Sequence, residues 1–209
     1  MRLFIMGASG GVGRCLIEQA LARGHAVTAQ SRSGNGLQPE PGLRVVIGQP
    51  TDAAFLERAI ARHDAVVICV GTGDRGPTTL FSDVTASVLQ AMQATGVRRL
   101  VAVTGVGAGD SRGHGGWLYN RVIFPLFTRN RYRDKDRQEA MIRLSATDWT
   151  IVRPAPFARK ATGRAPEIFT TIPAGLQLRA ITRPEVADFI LTCLEQDGFL
   201  HQTPFIGHR

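Results

Sequence analysis

The residues with the clearest chemical potential are three glycines near the N-terminus, Gly7, Gly10 and Gly13, which give the spacing G-x-x-G-x-x-G. They stand between a short apolar run and a segment with helical periodicity. Glycine lets the backbone turn tightly and approach a pyrophosphate, while the following helix offers unpaired N–H groups. Spacing and position together predict a phosphate-binding loop for a dinucleotide. The loop residues are Gly7, Ala8, Ser9, Gly10, Gly11, Val12 and Gly13.

The end of the second predicted strand indicates which dinucleotide fits. A site for NAD(H) carries Asp or Glu there, about 20 residues after the glycines, to bond the ribose 2′-hydroxyl. This chain has Gln30, Ser31, Arg32 and Ser33 instead, with no acid. A guanidinium beside hydroxyl groups suits a 2′-phosphate. We therefore predict NADP(H), with NAD(H) as the less favoured cofactor and with Ser31 and Arg32 as the discriminating residues.

Three other strand ends carry small or polar residues. Gly71 and Thr72 would let the chain pass close to a ribose and the pyrophosphate. The hydroxyl of Thr104 would bond the nicotinamide or a substrate, or else satisfy its own backbone. Pro154 ends a further strand beside the same region. These four residues complete the predicted cofactor contacts from the strand ends.

The elements that must position these residues alternate between strand and helix. Short apolar runs indicate buried strands, and apolar residues at a 3.6-residue period indicate helices. This alternation predicts an α/β fold, a single doubly wound Rossmann domain with a mostly parallel sheet. Ligands in such sheets bind beyond the carboxyl ends of the strands. Strands are predicted at Leu3–Met6, Ala26–Gln30, Leu43–Ile47, Ala65–Val70, Leu100–Val103, Trp149–Val152 and Pro204–Ile206, and helices at Gly11–Arg23, Ala53–Ala61, Thr79–Thr95, Arg133–Leu144 and Pro184–Glu195.

The size of the chain predicts one domain. Its 209 residues, 44% of them hydrophobic, can bury one sizeable core, and a second full domain would be cramped. We assign residues 1–209 to a single dinucleotide-binding domain. A small substrate-side portion is expected from about 105–132 and 155–180. Within it, the segment from Trp117 to Phe127 is too short and too interrupted to span a bilayer and is predicted to be a packing or lid segment.

The net charge, the cysteines and the histidines limit which partners, cellular compartments and kinds of chemistry are expected. The formal net charge is +8, and basic residues are densest between Arg112 and Arg137. Without zinc-finger spacing or an RNA-binding aromatic signature, this favours a solvated basic face or attraction of an anionic cofactor over nucleic acid. The three cysteines are widely spaced, which predicts a reducing, cytoplasmic compartment. The five histidines show no metal-ligand spacing, and no G-x-S-x-G elbow supports a hydrolase.

Several segments together resemble an atypical short-chain dehydrogenase/reductase of NmrA-like character, similar to the biliverdin reductase B type of flavin reductase. The resemblance covers almost the whole chain. It implies an NAD(P)-binding Rossmann fold and hydride transfer to small aromatic or quinone-like acceptors. The segments that carry it are Gly7–Gly13, Gly71-Thr72 with Pro77-Thr78-Thr79, Val101–Thr104, Trp149–Pro154 and Ile181–Ala187.

The catalytic pattern that the resemblance implies carries over only in part. Classical members place Tyr-x-x-x-Lys on the helix after the fifth strand, where the lysine orients the nicotinamide ribose and the tyrosine donates a proton. Lys135 is present here, but Arg131 stands four residues before it and Tyr132 three. Residues three apart share a helix face, so Tyr132 and Lys135 are expected to be neighbours. Lys135 also stands four residues before Glu139, a K-x-x-x-E arrangement found in related sequences.

The first functional hypothesis is an NADPH-dependent oxidoreductase that transfers a hydride to a small aromatic, flavin-like or quinone-like acceptor. Thr104, Lys135 and Tyr132 are its candidate catalytic residues, although Tyr132 could also be a plain surface tyrosine. Phe124, Phe127 and Phe157 are candidate pocket walls or ordinary core residues. The alternatives are a non-catalytic NmrA-like sensor of NADP(H) and a nucleotide-sugar epimerase-like enzyme. A small-molecule substrate is expected, with no membrane partner and a monomeric or homodimeric state.

Overall fold

The computed structural model describes residues 1–74, 76–108, 129–160, 162–171, 173 and 178–209. The predicted lid segment, with Phe124 and Phe127, and most of the predicted substrate-side portion at 105–132 lie outside the described residues. The elements are, in order, β1 (Arg2–Met6), α1 (Gly11–Ala22), β2 (Ala26–Ser31), β3 (Leu43–Ile47), α2 (Ala53–Ile60), β4 (Ala65–Ile68), α3 (Leu80–Thr95), β5 (Arg99–Val103), α4 (Arg129–Leu144), β6 (Asp148–Pro154), β7 (Glu167–Phe169), α5 (Arg183–Glu195) and β8 (Phe205–Gly207).

The strands form one sheet in the order β3-β2-β1-β4-β5-β6-β8-β7. Every neighbouring pair is parallel except β7 with β8. From β1 the chain builds outward through β2 and β3, and then returns to the other side of β1 with β4. The predicted doubly wound Rossmann fold is confirmed, and its topological switch point lies between β1 and β4.

The sheet is covered on both faces, which explains why its strands are apolar without alternation. In β1, Leu3 and Ile5 point into a core shared with α1 and α5, whereas Phe4 and Met6 point into a second core against α2, α3 and α4. All four side chains are fully buried. Two complete cores therefore hold the central strand ends rigidly at the switch point.

Helix α4 is docked onto the beginning of α3 by Asp134. The N-cap residue of α3, Thr79, makes no side-chain cap bond, and the fully buried Asp134 carboxylate accepts the N–H of Phe81 at 2.8 Å and the hydroxyl of Ser82 at 2.5 Å. A carboxylate at a helix N-terminus satisfies free N–H groups and complements the helix dipole. This contact fixes the rotation of α4 and turns Lys135, the next residue, toward the end of β5.

One strand was not predicted. Strand β7 contains only Glu167, Ile168 and Phe169 and pairs antiparallel with β8 at the edge of the sheet. A three-residue segment shows no periodicity of its own. Its extended form depends on the neighbouring strand, so the sequence pattern could not reveal it.

Candidate functional site

A cleft of about 430 Å³ opens at the switch point, beyond the carboxyl ends of β1, β2, β4 and β5. Most of the residues predicted for cofactor binding border it. We call it the switch-point cleft. Its lining consists of Gly7, Ser9, Gly10, Gly11, Val12, Gln30, Ser31, Arg32, Pro50, Cys69, Val70, Gly71, Thr72, Gly73, Leu80, Val103, Thr104, Lys135, Phe157 and Arg183.

Two of the loop glycines are needed for backbone packing. Gly7 has φ +74°, and a Cβ there would lie 2.7 Å from the carbonyl oxygen of Cys69. A Cβ on Gly13 would lie 2.5 Å from the carbonyl oxygen of Gly7. Gly13 and the predicted contact residue Ala8 are buried beneath the loop and do not line the cleft. Their contribution is to hold the turn in shape, while Ser9, Gly10 and Gly11 present its exposed surface.

The first turn of α1 offers an anion site without a protein anion. Gly10 is the N-cap residue, it provides no side-chain cap, and no acidic residue occurs in the first turn. The first N–H groups of a helix have no partner inside the helix, and the dipole favours negative charge there. A Cβ on Gly10 would approach only the carbonyl oxygen of Gly7, at 3.1 Å, so the space above it is left to a ligand. The loop therefore fits a dinucleotide pyrophosphate.

Arg14 joins this loop to the end of β2, a role that the sequence analysis missed. Its Nε donates to the carbonyl oxygen of Ser9 at 2.9 Å, and its Nη1 donates to that of Gly36 at 2.7 Å. These bonds hold the glycine loop against the turn that follows Arg32. The only available signal was an arginine directly after Gly13, which does not by itself indicate such a bridge.

At the end of β2, Ser31 and Arg32 have different surroundings. The Ser31 hydroxyl is buried and accepts the N–H of Gly34 at 3.1 Å, so it shapes the turn. The Arg32 side chain is exposed at the cleft. Neighbouring Gln30 donates from Nε2 to the carbonyl oxygen of Gly48 at 2.7 Å, which ties β2 to the end of β3. Both residues border the cleft, with the Arg32 side chain exposed and the Ser31 hydroxyl buried at the turn.

Lys135 reaches the opposite end of the cleft from α4. Its Nζ donates to the carbonyl oxygen of Thr104 and lies 5.1 Å from the ring centre of Phe81 and 5.9 Å from that of Tyr132. Burial lowers the pKa of Lys135 to about 8, while the nearby Glu139 carboxylate acts in the opposite direction and Arg131 lowers it further. The amine is thus mainly protonated at neutral pH and close to its titration.

The hydroxyl proton of Thr104 is directed neither at the backbone of Thr104 nor into the open cleft. The hydroxyl donates to Oε1 of Glu139 at 2.7 Å. Glu139 is 3% exposed and also accepts Nε of Arg153 at 3.0 Å and its Nη2 at 2.5 Å. Neither outcome expected for Thr104 from the sequence included this carboxylate. The Thr104 N–H donates to the carbonyl oxygen of Val152 at 2.9 Å and its carbonyl oxygen accepts Lys135, so the lone pairs of the hydroxyl oxygen are what the residue can offer to a ligand.

A side pocket of about 200 Å³ adjoins the cleft. The Tyr132 hydroxyl lies against Gly105, where a Cβ would be 2.9 Å from that oxygen. Tyr132 and Lys135 are therefore neighbours, as the helix spacing predicts. Pro154 lines the side pocket but not the switch-point cleft. The side pocket is lined by Gly71, Thr72, Phe81, Thr104, Gly105, Arg131, Tyr132, Lys135, Pro154, Ala155, Pro156 and Phe157.

The described lining of the switch-point cleft has a strongly positive character. It includes the cations Arg32, Lys135 and Arg183 and no Asp or Glu. Arg183 carried no assigned role in the sequence analysis, although its segment contributes to the family resemblance. No group of His, Cys, Asp and Glu that could hold a metal ion occurs among the described residues. A cleft of this charge suits a ligand with several phosphates.

A family model described as NAD(P)H-binding matches residues 7–197. The chain belongs to the NAD(P)H-binding family. A similar curated protein is UPF0659 protein YMR090W of Saccharomyces cerevisiae, which is 27% identical over 205 residues, covering 93% of this chain and 87% of the yeast protein. The glycine loop therefore lies in a family that binds the expected class of cofactor.

Two solved structures share the fold over nearly the full chain. A short-chain dehydrogenase/reductase from Veillonella parvula in complex with NADP has a TM-score of 0.80 at 20% identity, over 99% of this chain and 94% of that one. ChuY, an anaerobillin reductase from Escherichia coli O157:H7, has a TM-score of 0.82 at 20% identity, over 100% and 97%. At this identity the likeness establishes the fold. The NAD(P)-binding Rossmann fold implied by the resemblance to atypical short-chain dehydrogenases/reductases is confirmed.

No helix among the described residues is both long and apolar enough to cross a membrane.

Proposed function

We propose that this protein is an NADPH-dependent reductase that transfers a hydride to a small aromatic, flavin-like or quinone-like acceptor. The observation that carries the proposal is the junction of the two cavities. The switch-point cleft and the side pocket share Gly71, Thr72, Thr104, Lys135 and Phe157. A cofactor that extends from the glycine loop toward Lys135 would end where the side pocket opens.

The chain offers distinct groups for each part of the cofactor. The N–H groups at the beginning of α1 would hold the pyrophosphate, and Arg32 would meet the 2′-phosphate. Lys135 would contact the nicotinamide ribose. Gly71 and Thr72 line both cavities and leave the backbone open to the ribose side. Bound NADPH would supply a hydride, leaving as NADP⁺, while the reduced acceptor takes up one further proton.

The walls of the side pocket favour a flat apolar acceptor. Phe81, Phe157, Tyr132 and Pro154 contribute rings to a space that also contains the Lys135 ammonium. Planar rings pack well against such walls. A cation at one side would stabilise negative charge that develops on the acceptor during reduction. Flavins and quinones form stabilised anions, so water could deliver their proton without an aligned protein acid.

The similar proteins support the general part of this proposal, which is that the protein is an NAD(P)H-dependent reductase. One structural neighbour was crystallised with NADP and another is named as a reductase of anaerobillin. Preference for NADP(H) over NAD(H) rests on Arg32 and on the missing acid at the end of β2. Turnover of a planar acceptor rests on the side pocket.

The non-catalytic sensor is the second candidate, because the Thr104 hydroxyl proton is committed to Glu139 and no Tyr-x-x-x-Lys spacing is present.

The epimerase-like alternative has less support. No described residue of the two cavities specifically favours it over the reductase. The three cysteines carry free thiols, which supports the proposed reducing, cytoplasmic compartment. A monomer or homodimer remains the prediction for the assembly.

The test combines binding with turnover. NADP⁺ and NAD⁺ affinities are measured by calorimetry, and NADPH oxidation is followed against a panel of flavins, quinones and carbonyl compounds. We expect tighter binding of NADP⁺ and acceptor-dependent oxidation with at least one planar acceptor. Tight binding with no acceptor in the panel would favour the sensor, and binding of neither dinucleotide would overturn the site itself.

A further inference from the structure

We propose that Arg183 is a ligand of the cofactor pyrophosphate, reaching it across Gly11 from the beginning of α5. This inference rests on the proposed function and adds to it a binding residue far from the glycine loop in the sequence. It concerns a side chain that lines the switch-point cleft and carries a full positive charge.

The backbone of Arg183 is held firmly at the first turn of α5. Thr182 and Glu185 form a reciprocal capping box, in which the Glu185 carboxylate accepts the Thr182 N–H at 2.8 Å. Gln19 of α1 donates from Nε2 to the carbonyl oxygen of Pro184 at 3.0 Å. These bonds fix the beginning of α5 beside α1. Arg183 is therefore presented toward the loop by capped, packed backbone.

The other ends of the two helices are fastened as well. Arg23, directly after α1, pairs with Asp188 at 2.5 Å and with Glu195 at 2.9 Å. The ends of α1 and α5 are thus tied together along their length. The distance between Arg183 and the glycine loop is set by this packing and does not depend on a mobile loop.

The absence of a side chain on Gly11 leaves the space that the Arg183 side chain occupies. A Cβ built on Gly11 would lie 2.5 Å from Cδ of Arg183 and closer still to its Nε. Gly11 is the first residue of α1, and a helical backbone is open to any L-residue, so its conformation does not require glycine. The missing side chain instead makes room for the arginine. Gly11 was predicted as a direct phosphate contact, and the structure gives it this additional reason.

The guanidinium is oriented but not neutralised. It lies 4.8 Å from the ring centre of Phe157, a favourable cation–π contact that holds it over the cleft. Within the described part of the chain, Arg183 forms no ion pair or hydrogen bond through its guanidinium. Its N–H groups therefore remain available for a ligand. Arginine binds phosphate through two parallel N–H groups, which suits this position beside the α1 N-terminus.

The location separates the roles of the two arginines. Arg32 follows β2, on the side of the cleft predicted to hold the 2′-phosphate. Arg183 lies between Gly11 and Phe157, hence between the glycine loop and the side pocket. The pyrophosphate is common to both dinucleotides, whereas the 2′-phosphate occurs only in NADP(H). Arg183 should therefore matter equally for both cofactors, and Arg32 should not.

The experiment measures NADP⁺ and NAD⁺ affinities by calorimetry for the wild type, Arg183→Gln and Arg183→Lys. Arg58→Gln, an exposed arginine on α2, is the matched control for the lost charge. A charge-assisted hydrogen bond contributes enough that Arg183→Gln should weaken both dinucleotides about 10- to 100-fold. Arg183→Lys should recover only part, because lysine cannot bond phosphate through a planar fork. Thermal unfolding checks that each variant folds.

Gly11→Ala provides the second arm, because its methyl group should displace Arg183. We expect it to weaken both dinucleotides, and Arg183→Gln to add little further loss in the Gly11→Ala background. Affinities of Arg183→Gln equal to those of Arg58→Gln would overturn the inference. A loss confined to NADP⁺ would also overturn it, because Arg183 would then read the 2′-phosphate. Failure of the wild type to bind either dinucleotide would instead overturn the proposed function.

Discussion

The hydroxyl of Thr104 donates to the buried carboxylate of Glu139 at 2.7 Å, and this bond connects the end of β5 to α4. Glu139 is balanced by Arg153, whose Nη2 lies 2.5 Å from its Oε2. Lys135, one turn earlier on α4, donates to the Thr104 carbonyl oxygen. Thr104 is thus bonded through both its side chain and its backbone to one helix. The position of α4 therefore determines the geometry of the end of the switch-point cleft that Lys135 and Thr104 line.

Thr104→Val should therefore affect stability as well as turnover. The substitution keeps the volume but removes the donor to Glu139, and loss of a hydrogen bond to a charged group costs about 1.5–3 kcal/mol. We expect a lower free energy of unfolding and a reduced kcat, with Thr104→Ser closer to the wild type. Denaturant unfolding and steady-state kinetics provide the measurements. An unchanged kcat in a destabilised Thr104→Val protein would show that the residue is only structural.

Arg32→Asp should change cofactor choice. The exposed guanidinium at the end of β2 would lose a charge-assisted contact with the 2′-phosphate, and the new carboxylate would repel it. We expect NADP⁺ to be weakened by roughly ten- to a hundred-fold, corresponding to about 1.5–3 kcal/mol, and NAD⁺ much less. Calorimetric titration with both dinucleotides tests this. Equal weakening of the two would show that Arg32 does not discriminate between them.

Gly10→Val should abolish dinucleotide binding in a folded protein. The backbone of Gly10 has φ −73° and ψ 167°, which valine can adopt, so the fold should survive. The added side chain would occupy the space above the first turn of α1. Calorimetry reports the affinity, and circular dichroism checks the fold. An unaltered affinity would place the pyrophosphate elsewhere.

Lys135 should give cofactor binding a pH dependence near 8. Burial lowers its pKa from 10.5 to about 8, so the ammonium loses its proton as the pH rises through that value. A contact between the protonated amine and the anionic cofactor favours the charged form, and NADP⁺ affinity should fall above pH 8. Calorimetry from about pH 6 to pH 10 tests this against Lys135→Met, which should bind more weakly and lack this step. A wild-type affinity that rises through pH 8 would contradict the assigned contact.

The lowered pKa of Lys135 also makes the free energy of unfolding depend on pH in a definite direction. Between pH 8 and 10.5 the unfolded chain retains a proton on Lys135 that the folded chain has released. The contribution of this residue to the free energy of unfolding therefore increases with pH across that window. Comparison of wild type and Lys135→Met by denaturant unfolding isolates that contribution.

Tyr132→Phe should have little effect on the reduction of flavins or quinones. Its hydroxyl lies against Gly105 at the edge of the side pocket, but such acceptors form stabilised anions and can take their proton from water. Kinetics with planar acceptors, alongside a carbonyl compound as comparison, provide the test. A loss of kcat greater than about a hundred-fold with planar acceptors would establish Tyr132 as the general acid, because acid catalysis typically contributes at least that much.

The sequence by itself determined the order of the elements and the class of ligand. Apolar runs and helical periods are local signals, and so are the glycine spacing and the missing acid after Gln30. Each of these signals depends on residues that are close together in the chain. Local backbone conformation and hydrogen bonding are enough to give such a signal its meaning, without knowledge of how distant elements pack. For that reason the doubly wound sheet and the position of the glycine loop between β1 and α1 could be predicted.

Only the tertiary structure decided which distant side chains meet. The contact of Arg183 with Gly11, the bond from Thr104 to Glu139 and the bridge from Arg14 to Gly36 join separate elements. These contacts depend on how helices pack on the sheet, and packing selects one rotation and distance from many that satisfy the same apolar pattern. Strand β7 is similar, because three residues become extended only beside β8. Long-range packing therefore shaped the details of the site that local patterns had located.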